Sequence, residues 1–341
     1  MQLSDFDYHL PIKSIAQKPK NPRDSSRLLV YNRRNKKIVH DHFYNISKYL
    51  NAGDLLVFND TKVFPARLLG KKETGGKAEI LLLEEIKKNV WKAVVGAKNK
   101  KPGMKILFGK DLTATLQKRL DDLEWQVKFD CRGDFYKTIE KIGQVPLPPY
   151  IKSKEKQSRL KKEYQTVYAK KFGSAAAPTA GFHFTKNVLS ELKKKGIEFA
   201  YVTLHVGVGT FAPVRAENIK EHQLHSEKVE INETNLNKIF TAKAKGRKII
   251  AVGTTSARVL EGVIAAKGIK KAFKGQTNIF IYPGYKFRLV DGLITNFHLP
   301  KSSLIMLVAA LMGRVKILDI YKLAIKKKYR FYSFGDAMII I

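Results

Sequence analysis

The sequence predicts an α/β fold in which a three-layer α/β/α main domain carries an inserted small β-barrel domain. Short segments of alternating hydrophobicity follow one another between residues 67 and 131, separated by turn signals such as GG and PG. This spacing is typical of a small barrel or sandwich. Strand and helix patterns alternate from residue 185 onward, which indicates a mainly parallel sheet covered on both faces. We therefore expect a main domain of residues 1–66 plus 153–341 and an inserted domain of residues 67–152.

The elements on either side of the barrel follow from local patterns. Residues 27–32 and 37–43 flank a polar turn and predict a β-hairpin. Residues 54–58 predict a short strand that leads into NDTKVFPAR. After the barrel, residues 134–142 predict a helix, and the proline-rich QVPLPPYIKS predicts an extended link that closes the inserted domain near residue 152.

The second part of the main domain alternates strands with helices. Residues 185–195 place Val188, Leu189 and Leu192 on one face, which predicts an amphipathic helix. Similar patterns predict helices over residues 232–245, 256–266, 303–312 and 318–326, and strands over residues 197–204, 248–252 and 278–282.

The charge of the chain is unusual. Its 341 residues include 50 Lys and 14 Arg against 30 acidic residues, a formal net charge of +34. Such a charge attracts polyanions, above all nucleic acid. The alternative is a compositional bias, because lysine is spread along the whole chain as a general surface residue. Charge alone does not decide between these interpretations.

Composition also limits the environment of the protein. Cys131 is the sole cysteine, so neither an internal disulfide nor a thiolate-rich metal site can form, and we expect a reduced, cytoplasmic setting. The N-terminus has no signal-peptide pattern, and the longest apolar run, residues 304–312, is shorter than the roughly 20 residues that span a bilayer. We expect a soluble protein without a membrane partner.

Two segments, AAAPTAGFHFT at residues 175–185 and YVTLHVGVGTFAPV at residues 201–214, place Gly, Pro, Thr and His in otherwise apolar runs. Glycine permits unusual backbone conformations, and small residues let a ligand approach the main chain. The segments therefore predict loops that converge on one site. In the second segment, Gly207 and Gly209 form only a GxG pattern, which is too short for a dinucleotide-binding fingerprint. The alternative to a ligand-binding loop there is a bulge at the end of a strand. The candidate ligand-binding residues are Thr179, Gly181, Gly207, Gly209 and Thr210.

The segment VGTTSARVLE follows a predicted strand and opens a predicted helix. Thr254 and Thr255 can cap this helix and present hydroxyl and N–H groups to an anion. Arg258 lies one turn into the helix and is suited to bind a phosphate or carboxylate through two parallel hydrogen bonds. Capping without ligand binding is the alternative.

Four histidines occur in or near such segments, namely His183, His205, His225 and His298. None has the local spacing of a metal-binding motif, so we expect no bound metal. We assign these histidines acid–base or hydrogen-bonding roles, since imidazole titrates near neutral pH. A metal-dependent hydrolase that uses them stays an alternative, as does a structural role for each one.

Acidic residues and an arginine complete the candidate set. In NDTKVFPAR, we expect Asp60 and Arg67 to line the seam where the inserted domain leaves the main domain, because ligands favour domain seams. Ordinary turn chemistry is the alternative. The segment YRFYSFGDAMII contains Asp336 and several aromatic residues, which either stack on bases or pack in the core.

Taken in order, the segments NDTKVFPARL, AAPTAGFHFT, VTLHVGVGTFAPV, HSEKVEI, VGTTSARVLE, TNFHLPKSSL and YRFYSFGDAM closely resemble the S-adenosylmethionine:tRNA ribosyltransferase-isomerase family of queuosine biosynthesis. The resemblance runs from SDFDYHLP near the start of the chain to SFGDAMII near its end. The sequence departs from the family in Lys-rich filler such as IKKKYRF, which leaves the motifs intact. The resemblance implies a layered α/β domain with an inserted β-barrel.

The resemblance also implies a reaction. The substrate is a tRNA that carries 7-aminomethyl-7-deazaguanine at the wobble position, and S-adenosylmethionine is a consumed co-substrate that donates its ribosyl group. The products are epoxyqueuosine-tRNA, adenine and methionine, and no cofactor is expected. A base removes a proton from ribose carbon 5′ beside the sulfonium, adenine leaves, the aminomethyl nitrogen attacks, and the ring rearranges as methionine departs.

This chemistry suits the candidate residues without fixing each role. Asp60, Glu227 or Asp336 can protonate or hydrogen-bond the departing adenine. Arg258 or Arg67 can bind the methionine carboxylate. The base is one of four histidines, namely His183, His205, His225 and His298.

The resemblance completes the expectations for ligands and partners. Asn296, in TNFHLPKSSL, joins the expected S-adenosylmethionine-binding residues. On this interpretation, the net positive charge of the chain promotes the binding of tRNA. We expect the protein to be a monomer. A non-catalytic RNA-binding protein is the remaining alternative, and the Gly/Thr/His segments argue against it because phosphate binding does not require them.

Overall fold

The computed structural model of the protein describes residues 1–153, 155–207, 216–265, 269 and 271–341. The strands in these residues are β1 (Arg27–Tyr31), β2 (Ile38–His42), β3 (Leu55–Asn59), β4 (Thr61–Val63), β5 (Arg67–Lys72), β6 (Lys77–Lys87), β7 (Val90–Gly96), β8 (Lys105–Phe108), β9 (Leu112–Arg119), β10 (Glu124–Cys131), β11 (Lys171–Ser174), β12 (Glu198–Leu204), β13 (Glu227–Ile231), β14 (Ile249–Val252), β15 (Phe273–Thr277), β16 (Gly292–Asn296) and β17 (Ala337–Ile340). The α-helices are α1 (Phe135–Ile142), α2 (Gln157–Glu163), α3 (Lys186–Lys194), α4 (Glu233–Ala244), α5 (Thr254–Val259), α6 (Ser303–Met312) and α7 (Arg314–Lys326).

Nine of the described strands form one mixed sheet in the order β15-β13-β12-β3-β14-β16-β17-β1-β2. The four strands β12, β3, β14 and β16 run parallel to one another. At one side β13 and β15 are added antiparallel, and at the other β17 runs against β16 while β2 runs against β1. The prediction of an α/β fold is confirmed, but half of the neighbouring pairs in this sheet are antiparallel.

The prediction of a mainly parallel sheet is therefore wrong, and the connections explain one of the reversals. A single helix between two strands returns the chain to the edge from which the first strand started, so the two strands run parallel. Between β16 and β17 the chain forms two helices, α6 and α7. The second helix brings the chain back to the edge where β16 ended, and β17 has to run antiparallel to it.

Strands from both ends of the chain share this sheet, and both of its faces are covered. β3 lies between β12 and β14 and is buried along its whole length. Its alternate side chains enter two different cores, because Leu55 and Val57 pack in one and Leu56 and Phe58 in the other. This is the layered arrangement that the strand and helix patterns predict.

Strands β5 to β10 form a closed barrel in the order β10-β7-β6-β5-β8-β9. Their inward residues form a separate apolar core that includes Leu68, Ile80 and Val127. Arg67, at the start of β5, forms an isolated bridge with Gln144, which follows α1. The chain therefore leaves for the barrel and returns from it at neighbouring points. The exact domain boundaries at residues 67 and 152 stay a prediction.

Most predicted elements occur within a few residues of their expected bounds. Four helices begin where the sequence places a capping side chain. Asp134, Thr185, Asn232 and Ser302 each accept a hydrogen bond from a backbone N–H of the first turn. Each such cap stabilises its helix by about 1 kcal/mol.

Two elements differ from prediction. The helix predicted over residues 256–266 begins at Thr254, and its second half, Leu260–Ala265, is a π-helix. The strand predicted over residues 278–282 is wrong, since β15 lies just before it and pairs with β13. The apolar residues after Thr277 line a cavity and pack on the core instead of joining a strand. Burial, not strand pairing, accounts for their hydrophobicity.

The parallel strands β12, β3, β14 and β16 end at a common edge, because parallel strands direct their carboxyl ends to the same side of a sheet. In open α/β sheets, ligands bind at this edge. The barrel attaches here as well, since β3 is followed directly by β4 and then by β5, the first strand of the barrel. No helix among the described residues is long and apolar enough to cross a membrane.

Candidate active site

A cavity of about 590 Å³ lies at the seam between the barrel and the main sheet. One wall comes from β6, β7, the start of β10 and α1, and the opposite wall from β13, β15, α5 and the start of α6. Residues of four motif segments meet here, namely VTLHVGVGTF, HSEKVEI, VGTTSARVLE and TNFHLPKSSL. The candidates that line this cavity are His205, Gly207, His225, Glu227 and Arg258.

A second, smaller cavity of about 50 Å³ adjoins the seam cavity. Leu304 lines both, and the successive residues Val206 and Gly207 line one each. The small cavity contains the remaining candidates at the carboxyl edge of the sheet, namely Thr179, Thr254, Thr255, Asn296 and His298.

The small cavity has hydroxyl and amide groups set in a largely apolar lining. Gly253, not a threonine, occupies the N-cap of α5, and its φ of 88° explains why glycine stands there. The Thr255 hydroxyl is buried and has no hydrogen-bond partner among the described residues. The Asn296 amide donates to His183 Nε2 at 3.2 Å and to the Tyr332 carbonyl at 3.0 Å. A polar atom in this cavity would therefore find a free hydroxyl in a preorganised wall.

His205 follows β12 and lies at the wall of the seam cavity. Its Nδ1 is hydrogen-bonded to the Thr61 hydroxyl at 2.8 Å, and its ring lies over Gly173, where an added Cβ would be 3.1 Å from Cε1. Burial, together with the positive charges of Lys228, Lys274 and Lys171, lowers the pKa of the imidazole to about 4. His205 is therefore neutral at pH 7 and held in one orientation.

Arg258 and Glu227 form an ion pair in the opposite wall. The Arg258 Nη1 donates to Glu227 Oε2, and its Nε donates to the Ile279 carbonyl at 3.3 Å. The Gly207 N–H donates to Glu227 Oε1 at 3.3 Å. The third nitrogen, Nη2 of Arg258, is buried and has no hydrogen-bond partner among the described residues. It is a charged donor that is buried without an acceptor, which is costly unless another group completes it.

His225 lies at the exposed rim of the cavity, close to two carboxylates of the barrel. A ring nitrogen of His225 and one carboxylate oxygen from each of Asp121 and Glu124 lie within 4.8 Å of one another. Glu124 Oε2 also pairs with the Lys92 ammonium at 2.8 Å, and this positive charge competes with a metal ion. The sequence predicts no metal, and this cluster is the arrangement of described residues that most resembles a metal site.

His183 and His298 are both deeply buried, and burial lowers the pKa of each imidazole to about 3. His183 uses both ring nitrogens, with Nδ1 bonded to the Ser26 hydroxyl at 2.7 Å and Nε2 to Asn296. It lines neither cavity. His298 lines the small cavity, and its Nε2 is bonded to the Thr295 hydroxyl at 2.7 Å.

Two candidates from the motif segments face away from both cavities. Asp60 accepts a hydrogen bond from the Thr203 hydroxyl at 2.7 Å, and burial raises the pKa of its carboxyl. Gly181 lies against Tyr168, because a Cβ at Gly181 would be 1.9 Å from the Tyr168 hydroxyl oxygen. The missing side chain of Gly181 therefore makes room for a tyrosine and not for a ligand.

Arg67 and Asp336 also lie outside both cavities. Arg67 makes a two-point ion pair with Glu79 on the neighbouring barrel strand, at 2.8 and 2.9 Å. Asp336 is buried, accepts from the backbone N–H groups of Arg27 and Arg330, and also bonds the Arg330 guanidinium. The carboxylates of Glu79 and Asp336 and the guanidinium groups of Arg67 and Arg330 therefore find hydrogen-bond partners within the protein. Gly209 and Thr210 lie outside the described residues.

Several residues that line the seam cavity are absent from the sequence-based set. Some are cations of the main domain, one is an aromatic residue of β11, and the others are aromatic or acidic residues of the barrel side. Apart from Lys228, which lies in HSEKVEI, they come from segments outside the motifs. They include Lys171, Lys228, Lys274, Phe172, Glu85, Trp91 and Tyr136.

Comparison with known proteins matches this chain to one family over nearly all of its length. The model of the family described as "Queuosine biosynthesis protein" matches residues 3–340. The chain belongs to the queuosine biosynthesis protein family. Members named S-adenosylmethionine:tRNA ribosyltransferase-isomerase from Acetivibrio thermocellus and Thermosipho melanesiensis are 53% and 52% identical, with 100% of each chain covered.

A solved structure agrees with the family assignment. The crystal structure of S-adenosylmethionine tRNA ribosyltransferase from Thermotoga maritima is 38% identical, with a TM-score of 0.58, and the match covers 99% of this chain and 100% of that one. The protein is therefore an enzyme of queuosine biosynthesis, of the transferase and isomerase type, and the expectation from the motif segments is confirmed.

Proposed function

We propose that the seam cavity is the active site at which this enzyme transfers and isomerises the ribosyl group of S-adenosylmethionine. The acceptor is 7-aminomethyl-7-deazaguanine at the wobble position of a tRNA. The observation that carries this proposal is the convergence of four motif segments on one cavity of about 590 Å³. That volume lies within the range of about 300–1,000 Å³ that is usual for small-molecule sites.

Arg258 is the group that binds the carboxylate of S-adenosylmethionine. Its Nη1 is paired with Glu227, which fixes the guanidinium in the cavity wall. Its buried Nη2 has no partner among the described residues, and an unpaired charged donor is costly to bury unless a ligand completes it. A carboxylate oxygen accepts a short, charge-assisted hydrogen bond from a guanidinium nitrogen.

His205 is the base that removes the proton from ribose carbon 5′. Only a neutral imidazole can accept a proton, and its pKa of about 4 keeps His205 neutral at pH 7. The bond between Nδ1 and Thr61 leaves Nε2 for the substrate. The same lowered pKa makes the imidazole a weaker base, and the adjacent sulfonium offsets this by making the carbon more acidic.

The other histidines fit this role less well. His183 has both nitrogens occupied and lies outside the cavities. His298 lies in the small cavity with Nε2 bonded to Thr295. His225 lies at the exposed rim, beside Asp121 and Glu124. A base at the rim would be exposed to water, which also competes for its proton.

The tRNA is held mainly by positive charge. A net charge of +34 supplies many cations for phosphate groups, and we place the reaction in the cytoplasm, where tRNA is modified. We propose a monomer as the active unit.

Product analysis tests this proposal. Incubation of the enzyme with precursor tRNA and S-adenosylmethionine should release adenine and methionine in equal amounts as epoxyqueuosine appears in the RNA. A metal chelator should leave the rate unchanged, whereas a metal-dependent hydrolase that used His225, Asp121 and Glu124 would lose activity. Formation of S-adenosylhomocysteine would mean methyl transfer and would contradict the proposal.

A further inference from the structure

The carboxylates that line the seam cavity differ in their partners. Among the described residues, five carboxylates line this cavity, and all five belong to glutamates. Four are in ion pairs: Glu84 with Lys228 at 3.0 Å, Glu124 with Lys92 at 2.8 Å, Glu230 with Lys171 at 2.8 Å, and Glu227 with Arg258. Glu85 has no cation within ion-pair distance among the described residues. In a chain with a net charge of +34, a cavity carboxylate without a basic partner is available to a cationic ligand.

Glu85 is oriented by two neutral donors. The Tyr136 hydroxyl donates to Glu85 Oε2, and the backbone N–H of Asn89 donates to Oε1 at 3.1 Å. These bonds fix the carboxylate without neutralising its charge. The side chain is half-buried, so an ion that pairs with it would be partly shielded from water, which strengthens the attraction.

Aromatic rings surround this carboxylate. Tyr136 is 41% exposed and Phe172 is 42% exposed, and their rings meet edge to face with centroids 5.6 Å apart. Trp91 lies behind Tyr136, with ring centroids 6.4 Å apart. Its indole N–H is buried and has no hydrogen-bond partner among the described residues. Exposed aromatic faces at a cavity mouth provide a surface on which a planar base can stack.

The two walls of the cavity differ in charge around this position. The main-domain wall contributes four cations against two carboxylates, while the barrel wall contributes three carboxylates against one cation. The first set is Arg258, Lys171, Lys228 and Lys274 with Glu227 and Glu230, and the second is Glu84, Glu85 and Glu124 with Lys92. An anionic group is drawn to the first wall, and a cationic group to the second. A carboxylate-bearing donor and an amine-bearing base would therefore be placed facing each other.

We propose that Glu85, Tyr136 and Phe172 form the subsite for the acceptor nucleobase, in which the rings stack on a planar base and Glu85 binds its primary ammonium group. This inference rests on the proposed function, because that function supplies a base with an aminomethyl substituent. It assigns the barrel wall a role in choosing the modified base over unmodified guanine. A binding experiment tests this subsite independently of the ribosyl transfer reaction.

The experiment compares two RNAs, an anticodon stem–loop with 7-aminomethyl-7-deazaguanine at the wobble position and the same stem–loop with guanine. Fluorescence anisotropy measures the dissociation constant of each with the full-length protein. The wild type should prefer the aminomethyl RNA. Glu85→Gln keeps the shape of the side chain but removes its charge, so the preference should fall by about tenfold or more, since hydrogen bonds to charged groups are worth more than neutral ones. Binding of the guanine RNA should not change.

A matched control and a second variant make the result specific. Glu73→Gln removes the same charge from an exposed position of the barrel outside the cavity, and it should keep the wild-type preference. Phe172→Ala removes an exposed stacking surface and leaves the hydrogen bonds of Glu85 in place, so it should weaken binding of both RNAs by a similar factor of about fivefold or more.

Two outcomes would overturn the subsite. One is a wild-type protein without preference for the aminomethyl RNA, and the other is a Glu85→Gln variant that retains the full preference. These outcomes concern binding alone. If the wild type binds selectively but forms no epoxyqueuosine from S-adenosylmethionine, the proposed reaction fails and the subsite stands.

Discussion

The guanidinium of Arg258 pairs with the carboxylate of Glu227 in the wall of the seam cavity, and the two side chains are only 7% and 6% exposed. The pair joins two motif segments, because Arg258 lies on α5 and Glu227 begins β13. It therefore has two separable effects. It holds the two elements together, and it fixes the guanidinium of Arg258 in the cavity wall.

Arg258→Ala should both weaken donor binding and destabilise the fold. Loss of one partner leaves the other charge buried, which typically costs about 3–5 kcal/mol of unfolding free energy. The double variant Arg258→Met/Glu227→Gln removes both charges and should recover much of this stability. It should not recover S-adenosylmethionine binding. Urea unfolding and calorimetric titration measure the two effects, and recovery of donor affinity in the double variant would show that Arg258 has only a structural role.

His205→Asn should lower the turnover rate by about a hundredfold or more, with a smaller effect on the binding of either substrate, because a general base acts mainly in the transition state. Steady-state kinetics with the precursor RNA measures both parameters. Full turnover in this variant would remove His205 from the chemistry.

The orientation of His205 should matter as well as its presence. Gly173→Ala would place a methyl group 3.1–3.3 Å from three atoms of the imidazole ring, at a backbone φ of 138°. We expect turnover to fall while the imidazole is retained. Gly75→Ala is the matched control, since Gly75 also has a positive φ of 85° but nothing within 4 Å of the added Cβ. Equal losses in both variants would mean that backbone strain, and not displacement of His205, is responsible.

Stability should fall as the pH is lowered. His183 and His298 have a pKa near 3 when folded, against about 6.5 when unfolded. The unfolded chain therefore binds protons first, and stability that is complete above pH 6.5 declines as the pH falls toward 3. Each histidine should contribute a loss of about 2 kcal/mol between pH 7 and pH 5. Denaturant unfolding at several pH values measures this, and His298→Gln should show a shallower decline than the wild type.

Affinity for tRNA should depend steeply on salt, and affinity for S-adenosylmethionine should not. Contacts with several phosphates release counterions, so the tRNA affinity should fall by orders of magnitude between low and moderate salt. The donor binds in a partly buried cavity, where salt screens charges less. Titrations of both ligands over the same salt range test this, and equal slopes would contradict separate modes of binding.

The fold was largely predictable because its signals are local. Capping residues such as Thr185 and Asn232 mark helix starts, and alternation marks the barrel strands. The antiparallel direction of β17 is not local, since it depends on how α6 and α7 return the chain. Likewise, the apolar residues after Thr277 have the sequence pattern of a strand, but in the structure they line a cavity.

The site was only partly predictable for a related reason. Gly, Thr and His patterns identified His205 and Arg258, which both line the seam cavity. The same reasoning could not show which way a side chain points. Arg67 turns toward Glu79 on the neighbouring barrel strand. Glu85 and Tyr136 reach the cavity only through the docking of the barrel on the main domain, which no short segment encodes.

The fate of the ribosyl group distinguishes ribosyl transfer from methyl transfer. S-adenosylmethionine labelled with carbon-13 in its ribosyl carbons is incubated with the enzyme and precursor tRNA, and the digested nucleosides are analysed by mass spectrometry. The account predicts that all of the ribosyl label enters epoxyqueuosine, with unlabelled adenine and methionine released. Label recovered in S-adenosylhomocysteine, with a methyl group added to the RNA, would contradict it.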